Sequence, residues 1–189
     1  MYMNPAKSLL TALVVCALFA GTADAGDKTS IFGAVAGSSP VSMLGRYTDL
    51  GLGGAVGIGL KPFRTSEDVE FFAAVTYDRF ANMSSDMGAY SFVRFGGGIR
   101  LNLDASSPNR MYLLLALGPA LVRVAENSGY PPFGSAKRST TNLYGAGGFG
   151  YEFGVGKPVS MFFEAELVDI LDTLFGDYRF LRLGLGLRL

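Results

Sequence analysis

Residues 178–189 read YRFLRLGLGLRL and alternate without a break. Leu181, Leu183, Leu185, Leu187 and Leu189 fall on one parity, while Arg182, Gly184, Gly186 and Arg188 fall on the other. An extended strand sends successive side chains to opposite faces, so one face of this segment is pure leucine and its reverse is glycine and arginine. Two architectures accept such a strand. In a soluble sandwich or barrel the leucines are the core and the arginines meet water. In a transmembrane barrel the leucines face lipid and the arginines face a polar interior.

The rest of the chain favours the second. From Gly26 it divides into eight extended segments, at about 28–37, 51–61, 69–79, 91–102, 111–124, 141–154, 159–168 and 178–189. About ten residues or a little more is the length of a membrane-crossing strand. In 69–79, Val69, Phe71, Val75 and Tyr77 oppose Glu70, Phe72, Ala74, Thr76 and Asp78. In 91–102, Val93, Phe95, Ile99 and Leu101 oppose Arg94, Gly96, Gly98, Arg100 and Asn102. The first segment is ambiguous, and 111–124 is apolar on both faces. The connections alternate in length: 38–50, 80–90, 125–140 and 169–177 on one side, and the mostly shorter 62–68, 103–110 and 155–158 on the other. Long loops at one end and short turns at the other are the asymmetry of outer-membrane barrels, with both termini at the short-turn end. Two stretches fit less simply. Pro119 falls inside the fifth segment, where it costs a ladder bond unless it marks a bulge or a strand end. Residues 164–175 also place Leu167, Leu171 and Leu174 at helical spacing, although a strand followed by a loop suits the alternating chain better.

Composition agrees. Apolar residues make up 49% of the chain and glycines number 26, yet after the leader no apolar run approaches the length of a spanning helix. Sixteen basic residues balance sixteen acidic ones, so no strong field points to nucleic acid. There is no histidine, which removes histidine-dependent triads and the commonest transition-metal ligand. The single Cys16 lies in residues 1–25, which read as a secretory signal: Lys7, an apolar run over 9–20, then Ala23-Asp24-Ala25 as the cleavage site. Cleavage after Ala25 leaves 26–189 as the barrel domain.

The inward parity carries Glu70, Glu152, Glu164 and Glu166 together with Arg94, Arg100, Arg182 and Arg188. Buried charge is tolerable only when paired and hydrogen-bonded, so these residues suggest a paired network filling a narrow lumen. The same set could line a gate or an ion path, but the interior of an eight-stranded barrel is narrow enough for side chains to fill it. Glu164 and Glu166 lie one hairpin strand from Arg182 and Arg188, which favours salt bridging over acid–base chemistry. Arg79, Arg123 and Arg179 sit on the outward parity near the loop end, either as a rim for lipopolysaccharide phosphates or as interfacial arginines that snorkel. Outward Phe71, Tyr77, Tyr151 and Phe153 suit aromatic girdles. Gly145, Gly147 and Gly150 spell G-x-G-x-x-G, but the strand continues through them where a dinucleotide site needs a helix, so no cofactor is expected. The 125–140 connection is the longest and the first choice for a contact surface.

With these features the chain resembles the eight-stranded outer-membrane β-barrels of the OmpA/OmpX type. Its C-terminus resembles their assembly signal at Arg182, Gly184, Leu187 and Leu189, although Leu189 stands where such proteins usually end in an aromatic residue. The resemblance implies an all-β, closed, antiparallel, up-and-down barrel in a Gram-negative outer membrane. It also implies periplasmic chaperones and the barrel assembly machinery as partners during biogenesis, and a monomeric product. Small outer-membrane barrel enzymes as a group use a histidine beside Ser, Asp or Glu, so no enzymatic activity is expected of this histidine-free chain. The role expected is envelope integrity and surface contact through loops 38–50, 80–90 and 125–140. Two alternatives remain at this point: a small pore or hydrophobic-ligand conduit of the OmpW type, and a soluble exported lipocalin-like barrel.

Overall fold

Eight strands follow one another: β1 (Thr29–Pro40), β2 (Thr48–Leu60), β3 (Val69–Asn82), β4 (Tyr90–Asn102), β5 (Asn109–Val124), β6 (Arg138–Phe153), β7 (Ser160–Leu171) and β8 (Tyr178–Arg188). The computed structural model describes residues 29–41, 43–46, 48–61, 68–82, 89–104, 107–124, 138–171 and 178–189. The leader and cleavage site expected over 1–25 lie outside them, as do most of the 80–90 and 125–140 connections. Each strand pairs antiparallel with its chain neighbour, and β8 returns to β1. At the seam, Ile31 N–H donates to Leu189 O at 3.0 Å and Leu189 N–H donates to Ile31 O at 2.9 Å. Closure pairs the backbone polar groups around the ring and leaves no open edge, which a sheet surrounded by hydrocarbon requires.

Parity sorts the two faces. Leu181, Leu183, Leu185 and Leu187 are 39–52% exposed on the outside, while Arg182 and Arg188 are 1% and 8% exposed inside. The same division holds for Leu113, Leu115 and Leu117 against Tyr112 and Leu114 on β5, the strand with no polar face in sequence. The outer wall is an apolar belt and the lumen holds the charge, so the soluble alternative, with leucines inward, does not describe this fold. None of the described helices is long and apolar enough to cross a membrane; the strands do that work.

The strands run further toward the loop end than the sequence suggests. β1 reaches Pro40 and β2 begins at Thr48, so both ends of the stretch expected as loop 38–50 are barrel wall. The short turn Met43–Arg46 between them sends Leu44 inward to 1% exposure, where its carbonyl accepts a 2.9 Å hydrogen bond from Thr48 Oγ1. Leu44 of this turn therefore helps to close the barrel mouth. β7 stays extended to Leu171, which replaces the helical alternative over its described part. Pro119 causes no bulge. The β4–β5 register is the same on both sides of it, but the Phe95/Pro119 and Gly96/Gly118 pairs are missing from the ladder, while Pro119 still stands opposite Leu143 on β6.

Several inward glycines exist to make room. A Cβ on Gly150 would overlap the Tyr112 ring, one on Gly186 the Phe162 ring, and one on Gly96 the Tyr144 hydroxyl. Large side chains thus lie across glycine on the adjoining strand, or in the case of Tyr144 on the next but one, which lets a narrow barrel hold aromatic rings. Gly145 differs, because nothing lies within 4 Å of the place a Cβ would take. Gly150→Ala is expected to lower unfolding stability by about 1–3 kcal/mol through overpacking, whereas Gly145→Ala stays within about 0.5 kcal/mol of the parent. Urea titration of the lipid-reconstituted barrel measures both.

Candidate functional site: a charged lumen in two tiers

The inward positions bring together five buried acids, Glu70, Asp78, Glu152, Glu164 and Glu166, and five buried arginines, Arg94, Arg100, Arg110, Arg182 and Arg188. Among the described residues the lumen is therefore neutral and needs no counter-ion from outside. Its charges form two tiers.

The tier nearer the loop end is a ring of four. Asp78 Oδ2 accepts from Arg94 Nη2 at 2.9 Å, and its Oδ1 accepts from Arg182 Nε at 3.3 Å and from the Ser38 hydroxyl at 3.0 Å. Glu166 closes the ring, accepting from Arg182 Nη1 at 2.8 Å and lying 3.8 Å from Arg94 Nη1. Each acid meets both arginines. Asp78 is 0% exposed and is joined to an arginine 104 residues further along the chain.

The tier nearer the short turns is a chain. Arg188 Nη1 reaches Glu70 at 2.6 Å and Glu152 at 3.6 Å, and Arg100 reaches Glu70 at 3.6 Å and Glu164 at 2.7 Å. Hydroxyls fill the remaining acceptor sites: Ser30 donates to Glu70 at 3.2 Å, Tyr112 to Glu164 at 2.8 Å, and Ser160 to Glu152. The Arg100 guanidinium also lies 4.2 Å from the Tyr112 ring centroid, a cation–π contact made stronger by desolvation.

Between the tiers is a cavity of about 30 Å³ bordered by Arg94, Arg100, Arg182, Glu164, Glu166 and Thr76. All three of these arginines keep guanidinium N–H groups without a protein acceptor. A polar space of that size suits one or two ordered waters. Above the ring the lumen turns aromatic. Phe80, Phe92 and Phe180 pack with centroids 5.1–5.7 Å apart, Tyr178 stands 5.6 Å from Phe92, and Leu44 joins the same cluster. Phe32, Phe72 and Phe162 pack edge to face at 6.2–6.3 Å on the other side of the cavity.

All eight charged residues singled out from sequence for the lumen are buried there. The hairpin between β7 and β8 supplies only one of the pairs suggested for it, Glu166 with Arg182, which stand opposite each other in register. Arg188 stands opposite Ser160 instead and reaches across to Glu70, while Glu164 is held by Arg100. Glu164 and Glu166 thus belong to different tiers and are tied to different arginines, an arrangement unlike a general acid–base pair. Sequence reasoning left Asp78 out of the network although it shares the parity of Glu70. It also placed Arg110 in a turn, where the structure sets it opposite Glu152 on β5. On the outer face, Arg79, Arg123 and Arg179 are exposed, and the Arg179 Nε donates to Asp169 Oδ2 at 2.8 Å. Tyr151 and Phe153 pack at 4.6 Å, ring edge to face, at the short-turn end. Gly145 and Gly147 lie on an unbroken β6, with no helix following them. At the C-terminus, Gly184 and Leu187 lie on β8 between its partners β1 and β7.

No protein-family model matches the chain, and no curated protein matches it. Solved structures do. The neisserial surface protein A (NspA) aligns over 85% of this chain and 96% of its own, with a TM-score of 0.66 at 19% identity. The outer membrane protein Ail of Yersinia pestis, determined in a phospholipid bilayer nanodisc, aligns over 86% of this chain and 100% of its own, with a TM-score of 0.52 at 16% identity. The fold is therefore that of the eight-stranded transmembrane barrels of the outer membrane, the OmpA/OmpX architecture.

Truncating one member of the ring strands a buried opposite charge. Arg182→Ala is expected to cost about 3–5 kcal/mol, whereas Asp169→Asn, in an exposed pair, costs about 1 kcal/mol or less. Comparison of the two variants by reversible unfolding in lipid or detergent measures the difference.

Proposed function

We propose that this chain is a non-enzymatic integral outer-membrane protein whose barrel is a sealed structural body and whose loop end is its contact surface. The observation that carries this reading is the filled lumen: two tiers of ion pairs and an aromatic stopper occupy the interior where a conduit would need open space. Every inward carboxylate is engaged by an arginine, a hydroxyl or both, which leaves none placed as a free base or nucleophile. The apolar outer belt supports insertion into lipid. The similarity in fold to a surface protein and to an outer membrane protein supports the location, and the leader over 1–25 supplies the route of export with cleavage after Ala25. Arg182, Gly184, Leu187 and Leu189 serve, in this reading, as the signal read by the barrel assembly machinery, after escort by periplasmic chaperones. The product is a monomer. The 80–90 and 125–140 connections are the contact segments in this reading, while 38–50 is not, because Leu44 of its turn is folded into the barrel mouth.

Two measurements on the membrane fraction test this. The protein is expected to need detergent for extraction and to migrate differently on a gel unheated and boiled, because a folded barrel resists cold detergent. Reconstituted in a planar bilayer, it is expected to give no steady single-channel current. Free solubility in the periplasmic extract would refute the membrane location, and a stable conductance would favour the small pore over the sealed body.

A further inference from the structure

The three arginines on the outer wall near the loop end are of two kinds. Arg179 is held by Asp169, its neighbour in register, through the 2.8 Å hydrogen bond. Arg79 and Arg123 are placed otherwise. Arg79 stands opposite Ser91, and Ser91 stands opposite Arg123, so the three occupy one row across β3, β4 and β5. The row continues to Leu52 on β2 and Ser139 on β6, with no carboxylate in it. Asp49, near the β2–β3 irregularity, accepts its hydrogen bond from the Leu50 N–H. Among the described residues neither Arg79 nor Arg123 makes a salt bridge, and both are exposed.

Neighbouring strands lie about 4.8 Å apart, so the two arginine Cα atoms are about 10 Å from each other. Two guanidinium side chains can close over that span on a single tetrahedral anion. Ser91 lies between them; its Oγ accepts from the Tyr77 hydroxyl at 3.5 Å and keeps its own O–H to donate. Further down the same three strands the wall becomes exposed and apolar, with Val75, Phe95 and Leu117. A ligand that meets both zones carries its anion and its acyl chains on one molecule. Two fixed positive charges match a phosphomonoester, which bears nearly two negative charges at neutral pH, better than the single charge of a phosphodiester.

We propose that Arg79, Ser91 and Arg123 form a clasp for a phosphomonoester of a membrane glycolipid, namely a phosphate of lipid A in the outer leaflet. The proposal rests on the outer-membrane reading above. In it Arg179, already neutralised by Asp169, takes no part.

The test titrates the detergent-refolded full chain with diphosphoryl lipid A, with dephosphorylated lipid A and with phosphatidylglycerol. The unheated gel migration of every variant serves as the folding control. Tight binding of the diphosphoryl form alone is expected, weakening as salt is raised. Arg79→Gln combined with Arg123→Gln should weaken it by about tenfold or more, while Arg179→Gln changes it by less than about twofold. Unchanged binding in the double variant, an equal loss in Arg179→Gln, or equal affinity for phosphatidylglycerol would overturn the clasp. The phosphate dependence and salt dependence of the parent protein test the proposal even if the double variant fails to fold. If the parent shows the heat-dependent shift but does not bind lipid A, only the clasp fails. A parent with no shift and no need of detergent removes the membrane reading itself.

Discussion

The structure depends on one exchange of environments: charged side chains leave water for a narrow lumen, and leucines leave a core for the outer wall. Taking a guanidinium or a carboxylate out of water costs several kcal/mol per ion, and only close, multiply bonded pairing offsets that. The ring of Asp78, Arg94, Glu166 and Arg182 meets the condition because each member touches both members of opposite sign. Among the described residues five buried acids face five buried arginines, so the interior is neutral. The ring draws on β3, β4, β7 and β8, and thereby ties strands far apart in sequence across the middle of the barrel.

The rest of the wall is shaped to permit this. A sheet of eight strands encloses little space, and aromatic rings fit inside only where the strand opposite them is thin. Gly150 under Tyr112 and Gly186 under Phe162 provide such places. The same rings then serve the charges. Tyr112 gives Arg100 a π-face and Glu164 a hydroxyl, and Phe80, Phe92, Phe180 and Leu44 close the loop end above the ring. Packing and electrostatics are therefore a single layered filling. On the proposed reading, the barrel presents surfaces, to lipid and to the exterior, rather than a passage.

Much of this architecture is written in parity. A period of two is robust to errors in where a strand begins, so the eight strands and eight of the inward charges are legible in the sequence, while closure followed from the family resemblance. What parity does not contain is which inward residues meet across the lumen. Glu164 and Arg188 look like hairpin partners in sequence, but strand tilt and stagger send them to Arg100 and Glu70 instead. Asp78 stood on the inward parity but near the expected end of its segment, and only the continuation of β3 to Asn82 sets it well inside the wall, within reach of Arg94 and Arg182. Leu44 was assigned to a loop because a short turn folding back into a barrel mouth leaves no periodic trace. The outward Arg79 and Arg123 were visible singly, and only the register showed them flanking Ser91.

Everything in this fold turns on the direction in which β8 faces. Single cysteines placed in turn at positions 181–188, in a chain with Cys16 removed, can each carry a fluorescent label after reconstitution into bilayers of brominated lipid. Strong quenching is expected at the odd positions, where the leucines stand, and weak quenching at 182, 184, 186 and 188. The opposite alternation, or quenching without alternation, would contradict it.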